Sequence, residues 1–205
     1  MKVFVFGSGG DVGEYLLKKL AQKNHQAVTI AESANRADEL KMVGAAEVYL
    51  AADTSYTEVL AGCDAIIYIA GTSPHAGEDN NVLVDHEAVT RAMAAAKQQQ
   101  VARLVYLSPA RVDESAISQN TAGKKIPEEL MKLDEFTYTI IHASRGVHKP
   151  GKGMIDIIAS NRKKAADLPF EDIAEVLVES LANKATYNKT LNITPGIIPI
   201  KKALT

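Results

Sequence analysis

Cysteine is nearly absent from this chain. Of 205 residues only Cys63 is one, which excludes an intramolecular disulfide and any multi-cysteine zinc or iron–sulfur site and suits a reducing, cytosolic setting. There is little net charge: Lys plus Arg is 23, Asp plus Glu is 25, and the formal charge is −2. No bulk attraction to nucleic acid or anionic lipid follows from that balance. Long apolar runs are also lacking. The best, Ala65 to Ala70 (AIIYIA), has the length of a buried strand, far short of the roughly 18 residues a spanning helix needs. The start, MKVFVFGSGG, has a four-residue apolar run before glycine, shorter than a signal-peptide core. The expectation is a cytoplasmic protein with neither membrane nor nucleic-acid partner. With five histidines, no His pair at i, i+4 and no HExxH, no metal site is expected.

What is present is an ordinary globular composition, 46% hydrophobic and 23% charged, with length for one domain over 1–205. Lys2 to Phe6 (KVFVF) reads as a buried strand ending at Gly7. From Asp11 the period changes, with Val12, Leu16, Leu17, Leu20 and Ala21 at helical spacing up to Asn24 and His25. The alternation repeats. Strands are expected at Ala27–Ala31, Ala46–Leu50, Ala65–Ala70 and Arg103–Leu107, and helices at Arg36–Val43, Ser55–Ala61 and Val82–Gln99. The second half predicts a helix over Ala122–Leu133, a strand over Thr137–His142, a helix over Phe170–Asn183 and a strand over Thr190–Ile193, then a proline-spaced tail. Loops are expected over 71–81, 109–121 and 143–169, the last containing HKPGKG (His148 to Gly153), and these would build a small substrate side. Strands alternating with helices imply right-handed crossovers and an α/β, doubly wound, mostly parallel sheet with helices on both faces.

The loop GSGGDVG, comprising Gly7, Ser8, Gly9, Gly10, Asp11, Val12 and Gly13, follows a predicted strand and opens a predicted helix. In that context the glycines permit a tight turn, close backbone approach to a pyrophosphate, and helix–strand packing. An acidic residue about 20 positions further on would bind the adenosine ribose. Glu32 lies nineteen residues after Gly13 and favours NAD, because a carboxylate repels a 2′-phosphate. Arg36, one turn on, could instead pair with that phosphate and select NADP. A solvated pair of charges at a helix start is the plain alternative. A glycine loop of this kind also occurs in proteins that bind S-adenosylmethionine.

His75 and His86 fall in or beside the loop after the fourth strand, at the sheet edge where ligands bind. His142 ends a predicted strand. Each alone fits a surface or satisfied histidine equally well, and Asp85 to Glu87 fits an exposed helix face. Cys63 has no basic sequence neighbour to stabilise a thiolate. Tyr68, Tyr106 and Tyr138 read as sheet residues, with Tyr106 on the same face as Ser108 two positions on.

These segments together resemble the atypical short-chain dehydrogenase/reductase superfamily, in particular small bacterial NAD(P)-binding proteins of the NmrA-like and epimerase/dehydratase-like kind. The resemblance rests on VFVFGSGGDVG, LKMVGAAEVYLAAD (Leu40 to Asp53), GCDAIIYIAGTSPHAGEDNNVLVDHEAV (Gly62 to Val89) and VARLVYLSP (Val101 to Pro109). It continues through FTYTIIHAS (Phe136 to Ser144), KPGKG and FEDIAEVLVESL (Phe170 to Leu181). It implies a Rossmann fold, NAD or NADP as cofactor, Gly7, Gly10 and Gly13 at the pyrophosphate, Asp53 near the adenine, and Ala70 and Gly71 beside the cofactor. Ser108 matches the family's active-site serine and Lys124 its lysine. The usual tyrosine four residues before that lysine is Asn120 here, which cannot deliver a proton. The usual arginine–proline–glycine after the sixth strand is His142, Ala143 and Ser144. The resemblance therefore implies an NAD(P)-dependent oxidoreductase acting on an unidentified small molecule by hydride transfer without the tyrosine. The alternative is a non-catalytic, NmrA-like dinucleotide sensor. A chain of this size leaves a small substrate pocket, or one completed by a partner subunit in a homodimer.

Overall fold

β-branched and aromatic runs alternating with helix-period segments fold as that alternation dictates. A computed structural model describes residues 1–52, 54–69, 81–108, 136–159 and 166–205, with backbone alone over 81–88. The first half runs β1 (Lys2–Phe6), α1 (Asp11–Gln22), β2 (Gln26–Ala31), α2 (Ala34–Val43), β3 (Glu47–Leu50), α3 (Tyr56–Leu60), β4 (Ala65–Ile69), α4 (Asn81–Gln98) and β5 (Arg103–Ser108). There follow β6 (Thr137–Ala143), β7 (Gly146–Val147), β8 (Met154–Ile158), β9 (Leu168–Pro169), α5 (Phe170–Ser180), β10 (Lys189–Pro195), β11 (Ile198–Pro199) and α6 (Ile200–Ala203). The expected helix over 122–133 and the loops over 71–81 and 109–121 lie essentially outside the described residues.

The main sheet has the order β11-β8-β10-β6-β5-β4-β1-β2-β3, and every pairing from β3 to β10 is parallel. Strand order reverses between β1 and β4. That reversal opens the crevice at the carboxyl ends of the strands where ligands of doubly wound sheets bind. Because side chains alternate across a strand, the sheet has two apolar faces. Val3, Val5, Ile67, Val105 and Ile141 pack under α1, α2 and α5. Phe4, Ile66, Tyr68, Leu104, Tyr106 and Ile140 pack under α3 and α4. Leu16, Leu17 and Leu20 of α1 are fully buried, each worth about 1.5–3 kcal/mol relative to exposure.

The stretch 143–169, expected as loop, instead contains three strands, and the tail contains a fourth. β8 pairs antiparallel with β10 and β11, while β7 and β9 make a small parallel pair. β8 escapes sequence reading because only Ile155 along MIDII is fully buried, as suits a strand near the sheet edge. Pro199 is tolerated in β11 because an outermost strand need not donate on its solvent side. The helix expected to reach Asn183 stops at Ser180.

A buried guanidinium holds its end. Arg103, at the start of β5 and 7% exposed, donates to the carbonyls of Ser180 (2.6 Å), Leu181 (2.9 Å) and Thr137 (2.8 Å) and to Thr139 Oγ1 (2.7 Å). Its plane lies 4.4 Å from the Tyr187 ring centroid. A cation on the last carbonyls of a helix satisfies groups that have no intrahelical partner. Burial pushes the Arg103 pKa down to about 10, so the group is still charged at neutral pH. On the opposite side, α1 and α5 are joined by Lys19 to Glu171 (3.1 Å) and Glu175 (3.3 Å), and by Lys23 to Glu175 (2.6 Å) and Glu179.

Candidate functional site

At the carboxyl end of β1 the chain turns through a residue that only glycine fills easily. Gly7 has φ +85°, and a Cβ there would lie 2.4 Å from the Ile69 carbonyl oxygen at the end of β4. Gly13, inside α1, faces back onto the turn, where a Cβ would lie 2.3 Å from the Ser8 carbonyl oxygen. These two positions hold the first turn of α1 tightly against the loop. Gly9 is exposed, and among the described residues a Cβ there would have only Arg36 within 4.0 Å.

The helices differ in how they begin. Ser33 caps α2 by accepting from the Arg36 N–H (3.3 Å), and Ser55 with Glu58 forms a capping box on α3. α1 starts at Gly10, which has no side chain to cap it. Its first N–H groups, which no side chain caps, lie with the positive end of the helix dipole at the carboxyl end of β1, an arrangement suited to a phosphate anion. Ser8 does not use its hydroxyl for this. Thr29 Oγ1 donates to the Val5 carbonyl (2.9 Å), so the buried Ser8 Oγ must donate to Thr29 Oγ1 (2.6 Å). Val12 is 1% exposed and belongs to the core. Both residues offer a ligand their backbone only.

Glu32 and Arg36 part company here. Glu32 is exposed just past β2 and makes no hydrogen bond or ion pair among the described residues. Arg36 reaches back over the loop: its Nη2 donates to the Gly9 carbonyl (3.2 Å) and to Glu14 (3.3 Å), and its Nη1 to Glu39 (2.6 Å). Asp11, the first residue of α1, pairs with His148 Nε2 at 3.2 Å, and the His148 ring stands edge-on to Phe170 at 4.9 Å. The HKPGKG segment thus returns to the glycine loop. It is anchored by carboxylates at the start of α5: Glu171 accepts from the Gly151 N–H, and Asp172 from the N–H groups of Lys152 and Gly153.

A second group lies further along the same sheet edge. Ser108, the last residue of β5 and 8% exposed, is in register with His142 of β6, which is in register with Asn192 of β10. Register neighbours in a parallel sheet share a face, so hydroxyl, imidazole and carboxamide form one row. His142 Nδ1 lies 3.2 Å from Asn192 Oδ1. Ser144, where the resemblance expects glycine, donates its hydroxyl to the Ile193 carbonyl (3.2 Å). Asn192 was invisible to sequence reasoning. It sits fifty residues from His142 in a strand with no motif. Asp53, Ala70, Gly71, His75, Asn120 and Lys124 lie outside the described residues, as do the side chains of Asp85 to Glu87. Cys63 is buried and its thiol is pushed up to about 11, chiefly by burial, which leaves it protonated and inert.

Known proteins carry the same architecture. A family model described as NAD(P)H-binding matches residues 7–184. An uncharacterized sugar epimerase, YhfK of Bacillus subtilis (strain 168), is 28% identical over 214 residues that span 100% of this chain and 99% of that protein. Among solved structures, a Bacillus halodurans protein described as an NAD-dependent epimerase/dehydratase superposes with TM-score 0.87 at 23% identity, covering 100% and 98% of the two chains. The oxidoreductase ylbE of Lactococcus lactis does so with TM-score 0.80 at 24% identity, covering 100% and 95%. No described helix is long and apolar enough to cross a membrane. With an uncapped helix behind a glycine turn at the switch point of a doubly wound sheet, and the family model spanning both, this chain belongs to the NAD(P)H-binding family.

Proposed function

We propose that the protein is an NADP(H)-preferring oxidoreductase acting on a small carbonyl- or hydroxyl-bearing molecule bound against the row that Ser108 of β5, His142 of β6 and Asn192 of β10 form. The observation that carries this reading is that row: a polar Ser108–His142–Asn192 set placed on the same edge as the phosphate-binding turn. The N–H groups at the start of α1 hold the pyrophosphate, and Gly7 and Gly13 let the turn, β4 and α1 pack closely enough to present them. A bound nicotinamide supplies or removes a hydride. What the protein adds is position and hydrogen bonding, with Ser108 orienting the substrate oxygen.

The preference for NADP follows from Arg36. Its guanidinium sits on the glycine loop beside the end of β2, where the adenosine ribose of a dinucleotide falls in this fold. Glu32, the residue that would favour NAD, is turned to solvent. A 2′-phosphate there would take the place of Glu14 and Glu39 on the guanidinium, whose planar fork suits a phosphate. Isothermal titration with NADPH and NADH tests it: Arg36→Gln should weaken NADPH at least about tenfold, the loss of one charge-assisted contact, and leave NADH within about twofold. Equal losses for both dinucleotides would remove Arg36 from the selection. The non-catalytic sensor reading gains nothing from the relatives, which are described by epimerase, dehydratase and oxidoreductase chemistry. Turnover of NADPH with a panel of quinones and small carbonyls separates the two readings directly.

A further inference from the structure

We propose that His142, held by Asn192, is the proton-exchanging residue of this site and stands in for the absent family tyrosine; the inference rests on the oxidoreductase reading above. Three observations converge. The position four before Lys124 is Asn120, a side chain that cannot act as a general acid. In the row formed by β5, β6 and β10, the imidazole is the one side chain of a type that serves as a general acid or base. It lies directly beside Ser108 in register and is half-buried. Its Nδ1 is 3.2 Å from Asn192 Oδ1, and a carboxamide oxygen only accepts, so Nδ1 carries the hydrogen. That fixes the tautomer and makes Nε2 the exchanging nitrogen, in the way an orienting partner sets the working nitrogen of a catalytic histidine.

Topology places this ring on the reacting side. The adenosine half of the dinucleotide belongs over β2, where Arg36 lies. The other half must then cross the switch point onto the β4–β5–β6 side. On that side Ser108 faces His142 from β5, and Asn192 faces it from β10.

The reduced nicotinamide supplies the hydride. As it adds to a carbonyl carbon of the substrate, the C=O π pair moves onto oxygen. A new O–H bond forms there as the Nε2–H bond of the imidazolium breaks. The ring is left neutral and regains a proton from water. In the reverse direction Nε2 takes the proton of the alcohol.

The test needs no substrate. An oxidised nicotinamide ring is cationic and a reduced one is not, so an imidazolium beside it is disfavoured only in the oxidised complex. Titration calorimetry at pH 6.5 in two buffers of different ionisation heat, with NADP+ and then NADPH, counts protons released on binding. The wild type should release a fraction of a proton with NADP+ and markedly less with NADPH, and His142→Gln should abolish the difference. Nitrogen-15 spectra of the histidine-labelled wild-type protein provide a readout that needs no variant to fold. They should show His142 protonated on Nδ1 and Nε2 shifting when NADP+ is added; Asn192→Leu should spread the proton over both nitrogens. Equal release with both dinucleotides, an unchanged difference in His142→Gln, or a proton on Nε2 alone in the wild type would each overturn the proposal. Absence of binding by either dinucleotide would instead overturn the cofactor reading beneath it.

Discussion

A single methyl group marks the boundary between loop and ligand site. Gly13→Ala would place a Cβ 2.3 Å from the Ser8 carbonyl oxygen, and neither backbone segment can retreat without moving β1 or α1. The substitution should cost about 1–3 kcal/mol of stability, read as a shifted urea midpoint, and should abolish NADPH binding by titration calorimetry. A stable Gly13→Ala protein that still binds would mean the turn is not the phosphate cradle. Residues of this kind are legible in sequence because the constraint is local: strand, glycines and helix are consecutive. Arg36 and His142 are not of that kind. Which way Arg36 points depends on Gly9, twenty-seven residues earlier, and the His142 tautomer depends on Asn192, fifty residues later.

Elements are joined by charges used in two different ways. Arg103 ties the start of β5 to the end of α5 through buried carbonyls, so Arg103→Met should cost about 3 kcal/mol by leaving those acceptors dry and unpaired. Arg103→Lys, a compact cation without the planar fork, should recover only part of it. Urea denaturation of the two variants decides this, and a loss under about 0.5 kcal/mol in the Met variant would mean water replaces the guanidinium. The α1–α5 ladder is half-exposed and each of its pairs is worth little alone, yet it gives the protein an acid limit. Glu171 is held below the usual carboxylate range by the Gly151 N–H and then by Lys19. Glu175 is raised by burial but carried below its ordinary value by Lys23 and Lys19. A carboxylate with a depressed folded pKa contributes stability that is present above its unfolded value, near 4.5, and is lost as pH falls through the folded one. Stability should therefore drop below about pH 4.5, and the paired change Glu171→Gln with Glu175→Gln should flatten that fall in acid titrations followed by circular dichroism.

At the scale of the molecule, dinucleotide and fold are linked by mass action. A ligand that binds only the folded chain at a hundredfold excess over Kd adds about 2.7 kcal/mol, which for a chain of this length raises Tm by roughly 5–11 °C. Thermal melts with and without NADPH measure it, and Arg36→Gln should shrink the increment while leaving the melt without ligand little changed. The element alternation that builds this sheet was readable in the first half, where β1, β2, β4 and β5 are buried strands and β3, half-buried at the sheet edge, is placed by the helices on either side of it. The reading weakened where burial thins. β8 shows one fully buried residue, and β11 is two residues long at the sheet edge, so neither has a pattern to detect.

Sequence alone determined the doubly wound sheet and the strand, glycine turn and helix at its start, since each is written in consecutive residues or in a fixed period. Tertiary structure decided the rest: that Arg36 rather than Glu32 lies on the glycine loop, that HKPGKG folds back to meet Asp11, and that Ser108, His142 and Asn192 stand in one row. Those contacts join strands and helices distant along the chain. The row comes from the register of a parallel sheet and the other two from helix and loop packing on the glycine turn, and neither leaves a local trace in any one segment.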